Sequence, residues 1–74
     1  MIDWNLLEKI IQIITLRHKD KIHLSDYMGL ISGFQARNEY QVAYHLFEIV
    51  RALIVSDVND PELYGLIDKA VIPS

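Results

Sequence analysis

Residues 39–56, EYQVAYHLFEIVRALIVS, constrain this chain more than any other stretch. They carry two apolar ridges at helical spacing. One runs Val42/Ala43, Leu46, Ile49/Val50 and Leu53, and the other Tyr40, Tyr44, Phe47 and Ile54. Together the ridges cover well over half of a helix circumference. A helix apolar on most sides has to be surrounded, not laid on a surface. Its cover must come from the rest of the chain, or from another chain as well. Leu46, Ile49 and Leu53 are expected in the core, and Tyr40, Tyr44 and Phe47 on the face left open.

The rest of the chain offers three more helices. Asp3 is a suitable N-cap for a helix over residues 3–16, in which Leu6, Leu7, Ile10, Ile11, Ile13 and Ile14 share a broad face. The isoleucine-rich run also permits a strand reading, but its spacing at i, i+3, i+4 and i+7 favours helix. Arg17, His18 and Lys19 follow, where cations complement the helix C-terminus. Ser25 offers an N-cap for a second helix over 26–36. In that helix Gly29 and Gly33, four residues apart, point to a close helix crossing. Asn38, with Gln41 three residues later, reads as a capping box for the third helix, over 39–56. Asp60-Pro61-Glu62 opens a fourth over 61–71, which Pro73 stops. The expected fold is all-α: a single domain over 1–74 of four short antiparallel helices, arranged as a small helical bundle or a pair of helical hairpins.

A 36-residue shift superposes the apolar pattern of the two halves. Trp4 falls on Tyr40, Ile10 on Leu46, Ile14 on Val50, and Gly29-Leu30-Ile31 on Gly65-Leu66-Ile67. Either an internal duplication or the common spacing of helices accounts for this.

Residues 26–53, DYMGLISGFQARNEYQVAYHLFEIVRAL, carry an aromatic residue ahead of Leu-Ile and a Gly-Phe near the end of the first helix. Asn-Glu-Tyr follows at the junction, then Ala43 and Leu46-Phe47-Glu48. This stretch resembles one helical hairpin of the pentatricopeptide or tetratricopeptide type. Residues 63–67 look like the start of another unit, so the resemblance covers about half the chain. In the pentatricopeptide family a polar residue near the start of the first helix reads an RNA base. Met28 and Tyr64 stand at the matching positions and cannot supply that code. The resemblance therefore implies a helical scaffold that binds protein rather than RNA.

The chemistry-bearing residues are sparse. His18, His23 and His45 lack the i, i+4 spacing of a helical zinc site, and the chain has no cysteine. No phosphate-binding glycine loop, nucleophile elbow or carboxylate in an apolar stretch is present. Glu48, the nearest case, lies one turn before Arg51 and reads as a paired surface carboxylate. No catalytic residue and no metal or other cofactor is expected. The net charge of −3 argues against a general nucleic-acid binder. The cluster Arg17, Lys19, Lys21 is interrupted by Asp20, and the start of the third helix is too apolar for a recognition helix. Residues 1–5, MIDWN, lack the basic start of a secretory leader, and no apolar run is long enough to span a membrane. A cytoplasmic protein is expected.

At 51% hydrophobic, a 74-residue chain cannot easily hide every apolar side chain. Trp4, Tyr40, Tyr44, Phe47 and Tyr64 are the candidate interface anchors, since aromatics bury much area at low entropy cost. The expected function is a non-catalytic protein–protein interaction module (an adaptor, regulator or inhibitor) that binds itself, as a dimer, or another protein. The alternatives are a small helical DNA-binding transcriptional regulator and a small metal-binding protein or enzyme.

Overall fold

The computed structural model describes residues 1–71. They form four helices: α1, Trp4–Arg17; α2, His23–Ala36; α3, Tyr40–Asp57; and α4, Pro61–Ala70. A 3₁₀ turn, Lys19–Lys21, joins α1 to α2. The chain is all-α, and a single apolar cluster draws on every helix. The expectation about Pro73 lies outside the described residues.

Two of the expected caps form as read. Asp3 accepts the amides of Asn5 and Leu6 at 2.9 and 3.3 Å, and Asp60 accepts that of Leu63 at 3.2 Å. These bonds satisfy donors that a helix start leaves without partners.

The other two do not. Helix α2 begins at His23, ahead of Ser25, because the 3₁₀ turn feeds straight into it. The Ser25 hydroxyl instead donates back to the Ile22 carbonyl at 2.6 Å. Asn38 terminates α2 rather than starting α3. Its φ is 64°, its amide bonds the Gln35 carbonyl at 3.0 Å, and the Glu39 amide bonds the Phe34 carbonyl at 2.9 Å. These are the two bonds of a Schellman motif, with Asn38 in the left-handed position. No capping box forms with Gln41, and the residue before α3 is Glu39.

The helices pack in the order α4, α1, α2, α3, so α1 has two principal neighbours and the outer helices one each. Helices α1 and α4 run antiparallel and are tied at both ends. At one end the Asp3 amide donates to the Ala70 carbonyl at 2.6 Å, and Ile2 bridges to Val71. The Gln35 side chain takes both backbone groups of Ile2, accepting its N–H at 3.0 Å and donating to its C=O at 2.9 Å. At the other end Arg17 and His18 meet Asp60 and Glu62, so a guanidinium and an imidazole at one helix's C-terminus face carboxylates at the other's N-terminus.

The core of α3 is Ala43, Phe47, Val50 and Ile54. This face lies between the two ridges legible in the sequence and overturns the expected assignment. Phe47 is fully buried, whereas Ile49 and Leu53 are 46% and 37% exposed, and Leu46 is only half-buried.

The glycines also depart from expectation. A Cβ built on Gly29 or Gly33 meets nothing within 4 Å, so neither marks a helix crossing. Both sit in α2 with ordinary helical backbone, where glycine costs roughly 0.5–1 kcal/mol relative to alanine. The double variant Gly29→Ala, Gly33→Ala is expected to be about 1–2 kcal/mol more stable than the wild type. Urea denaturation followed by circular dichroism measures this, and no gain would mean that the face is occupied.

Candidate functional site

The α3 helix positions the residues that matter here. Among the described residues twelve large hydrophobic side chains are exposed, and six of them, Tyr40, Val42, Tyr44, Ile49, Leu53 and Val55, belong to this one helix. Scattered exposed apolar residues are ordinary on any protein surface. Half of them on a helix of 18 residues is a concentration. Val42, Leu46, Ile49 and Leu53 stand at successive steps of four, three and four residues, which aligns them along one side of the helix. Tyr40, Tyr44 and Val55 project from the opposite flank of the buried face.

The outer position of α3 explains the exposure. Both α3 and α4 have one principal neighbour. The outward positions of α4 are Glu62, Gly65, Asp68 and Lys69, which suit water. Those of α3 mix the polar Gln41, His45 and Ser56 with the branched aliphatics Val42, Ile49, Leu53 and Val55. Position 36 residues earlier in α1 makes the contrast sharper. Ile10 is fully buried and Leu6 and Ile13 are half-buried, because α1 lies between two helices.

The five expected anchors do not form one cluster. Trp4 is exposed at the start of α1, which does not pack closely on α3. Tyr40 and Tyr44 are exposed on α3, and the Tyr40 hydroxyl donates to Asn38 Oδ1 at 2.8 Å. Phe47 is a core residue and presents no surface, which corrects its reading as an anchor. Tyr64 is half-buried and donates its hydroxyl to the Val58 carbonyl. Sequence inspection favoured the aromatics for their area. Ile49 and Leu53, on the ridge with Val42, were expected in the core and are exposed instead. Met28, aligned with the base-reading position of the pentatricopeptide likeness, is fully buried.

Only one buried polar cluster stands out among the described residues. The Asp60 carboxylate, about 10% exposed, receives His18 Nε2 at 2.8 Å, and Arg17 lies 3.6 Å away. Arg17 also pairs with Glu62 at 3.0 Å. The His18 hydrogen bond holds the Asp60 carboxyl below the usual carboxylate range. The Leu63 amide and Arg17 act in the same direction, and burial opposes them. The bond to Glu62 and its charge raise Arg17. Each of these side chains has a partner within the fold, so the cluster reads as a latch between α1 and α4.

Two shallow, open depressions of about 420 and 400 Å³ lie along α3. One is lined by Asn38, Glu39, Tyr40, Gln41 and Val42, the other by Glu48, Arg51, Ala52, Val55 and Ser56. Neither gathers a nucleophile with a base. Among the described residues, no three His, Cys, Asp or Glu side chains stand close enough to hold a metal ion. No helix among them is long and apolar enough to cross a membrane.

These features define a small all-α domain whose surface, rather than a cleft, is its notable part. Comparison with family models, curated proteins and solved structures gave no match.

Proposed function

We propose that the chain is a non-catalytic protein–protein interaction module of the cytoplasm that self-associates, serving as an adaptor, regulator or inhibitor. The apolar outward face of α3 carries this reading. An aligned row of aliphatic side chains in water carries a hydrophobic cost of about 25 cal/mol per Å², which association relieves. The helical-hairpin likeness of residues 26–53 supports a protein-binding scaffold in the same sense. The DNA-binding alternative draws less support, because Arg17, in its basic cluster, is engaged by Glu62 and Asp60.

Light scattering across the micromolar to millimolar range tests the proposal. The weight-average mass is expected to rise with concentration toward twice that of one chain. A mass that stays at one chain throughout overturns self-association.

A further inference from the structure

The geometry points to the occupant of the α3 face: a second copy of this chain, packed antiparallel along Val42, Leu46, Ile49 and Leu53. This inference rests on the self-association proposed above and adds the seam and its direction.

Three observations support it. The first is spacing. Steps of four, three and four residues are those of a coiled-coil seam, and they read the same in both directions. An antiparallel two-fold pairing sets Val42 against the other copy's Leu53, and Leu46 against its Ile49. An isologous contact has that self-complementary form.

The second is charge. One further step along the seam places Glu39 at one end and Ser56 at the other. Parallel pairing in register would set Glu39 against Glu39 and Asp57 against Asp57. Antiparallel pairing sets Glu39 against Ser56 and Asp57 against Asn38, so no like charges meet and both acids gain a hydrogen-bond donor. It also opposes the two helix dipoles. Glu48 and Arg51, the other charged residues of α3, project away from the seam, 3.9 Å apart, and Arg51 holds Asp68 of α4 at 2.9 Å.

The third is cover within the chain itself. In α1 the same spacing, Leu6, Ile10 and Ile13, is half to fully buried, because that helix lies between two others. Where this pattern has cover, the cover is helical, and α3 of a second copy supplies it in kind.

Size sets the strength. An 18-residue helix is about 27 Å long and about 10 Å wide, so the paired face is roughly 300 Å² in projection. That is below the about 800 Å² per partner of a stable complex. The dimer is therefore weak and concentration-dependent, which suits a reversible contact.

The experiment combines scattering with disulfide trapping, which is clean because the chain has no cysteine of its own. Ile49→Asp places a charge at the centre of the seam on a side chain already 46% exposed, so the monomer tolerates it. It is expected to weaken dimerisation more than tenfold while the dilute monomer keeps a cooperative thermal transition. Val55→Asp, on the other flank of α3, is expected to leave dimerisation alone. Mixing Val42→Cys with Leu53→Cys chains under mild oxidation is expected to give mainly the mixed disulfide.

If the wild type dimerises but Ile49→Asp dimerises equally well, the seam is overturned and self-association stands. Trapping mainly of Val42→Cys with itself overturns the antiparallel direction. A wild type that stays monomeric removes both proposals and leaves the face to a helix of another protein.

Discussion

Replacing Phe47 by alanine is expected to leave the protein largely unfolded at 25 °C. The ring is fully buried at the centre of α3, among the residues that join this helix to the common core. Truncating such a ring removes its transfer free energy and leaves a cavity, at a cost of about 3–5 kcal/mol. A single core in a chain this small supplies about the same, roughly 3–5 kcal/mol. The loss and the reserve are therefore comparable. Far-UV circular dichroism of Phe47→Ala should show most of the helical signal gone and no cooperative urea transition. Ile49→Ala is the comparison. Its side chain is nearly half in water, so the expected loss is below about 1 kcal/mol. If Ile49→Ala proved as damaging as Phe47→Ala, the buried face of α3 would be misplaced.

Asp60→Ala carries the second largest expected effect, about 1.5–5 kcal/mol. One carboxylate performs two tasks. It caps α4 through the Leu63 amide, which is worth about 0.5–2 kcal/mol. It also satisfies the half-buried ring of His18, whose loss of a partner costs about 1–3 kcal/mol. Asp60→Asn keeps a capping oxygen and should cost less. The pH dependence has a definite sign. The carboxyl is held below its usual range, chiefly by the His18 hydrogen bond. In the unfolded chain it titrates near its ordinary value of about 3.9. Its contribution is thus fully present above about pH 4 and is lost as pH falls through the folded value. Urea midpoints measured from pH 6 downward should fall more steeply for the wild type than for Asp60→Asn. Parallel curves would show that this carboxylate does not link folding to acid.

The latch and the terminal tie add polar links to a chain that has no cysteine and so no disulfide. One end of the α1–α4 pair is closed by His18 with Asp60 and Arg17 with Glu62, the other by the Asp3 amide on the Ala70 carbonyl, and Gln35 of α2 holds Ile2 beside it. The exposed Arg17–Glu62 pair adds little by itself. The partly buried His18–Asp60 contact and the two bonds of Gln35 matter more, because each satisfies a group that water reaches poorly. His18 had an adequate local explanation in the sequence, as a cation at a helix end. Asp60 also had one, as a cap. That the two answer each other was not legible, since nothing in local spacing relates residues 42 apart.

Local physics was enough for most of the fold. Apolar spacing marks four helices, and the side chains of Asp3 and Asp60 determine where two of them begin. It failed where two local solutions compete. Asn38 is suited both to open a helix and to close one in the left-handed region, and the tight turn between α2 and α3 selected closure. Ser25 lost its capping role because the preceding turn was already helical. Gly29 and Gly33 imply a close approach only if something approaches, and nothing does.

The α3 helix shows the division most clearly. The sequence alone determined that this segment is helical and that its apolar surface exceeds what one neighbour can cover, because both follow from the angular spread of side chains around a single axis. Which side goes inward was decided only by tertiary structure. Ala43, Phe47, Val50 and Ile54 face the core because α2 packs against the helix there, and packing fills space rather than following the most regular ridge. Once that side was taken, Val42, Ile49 and Leu53 were left in water. The exposed face is thus a product of the fold, although every residue of it was visible from the start.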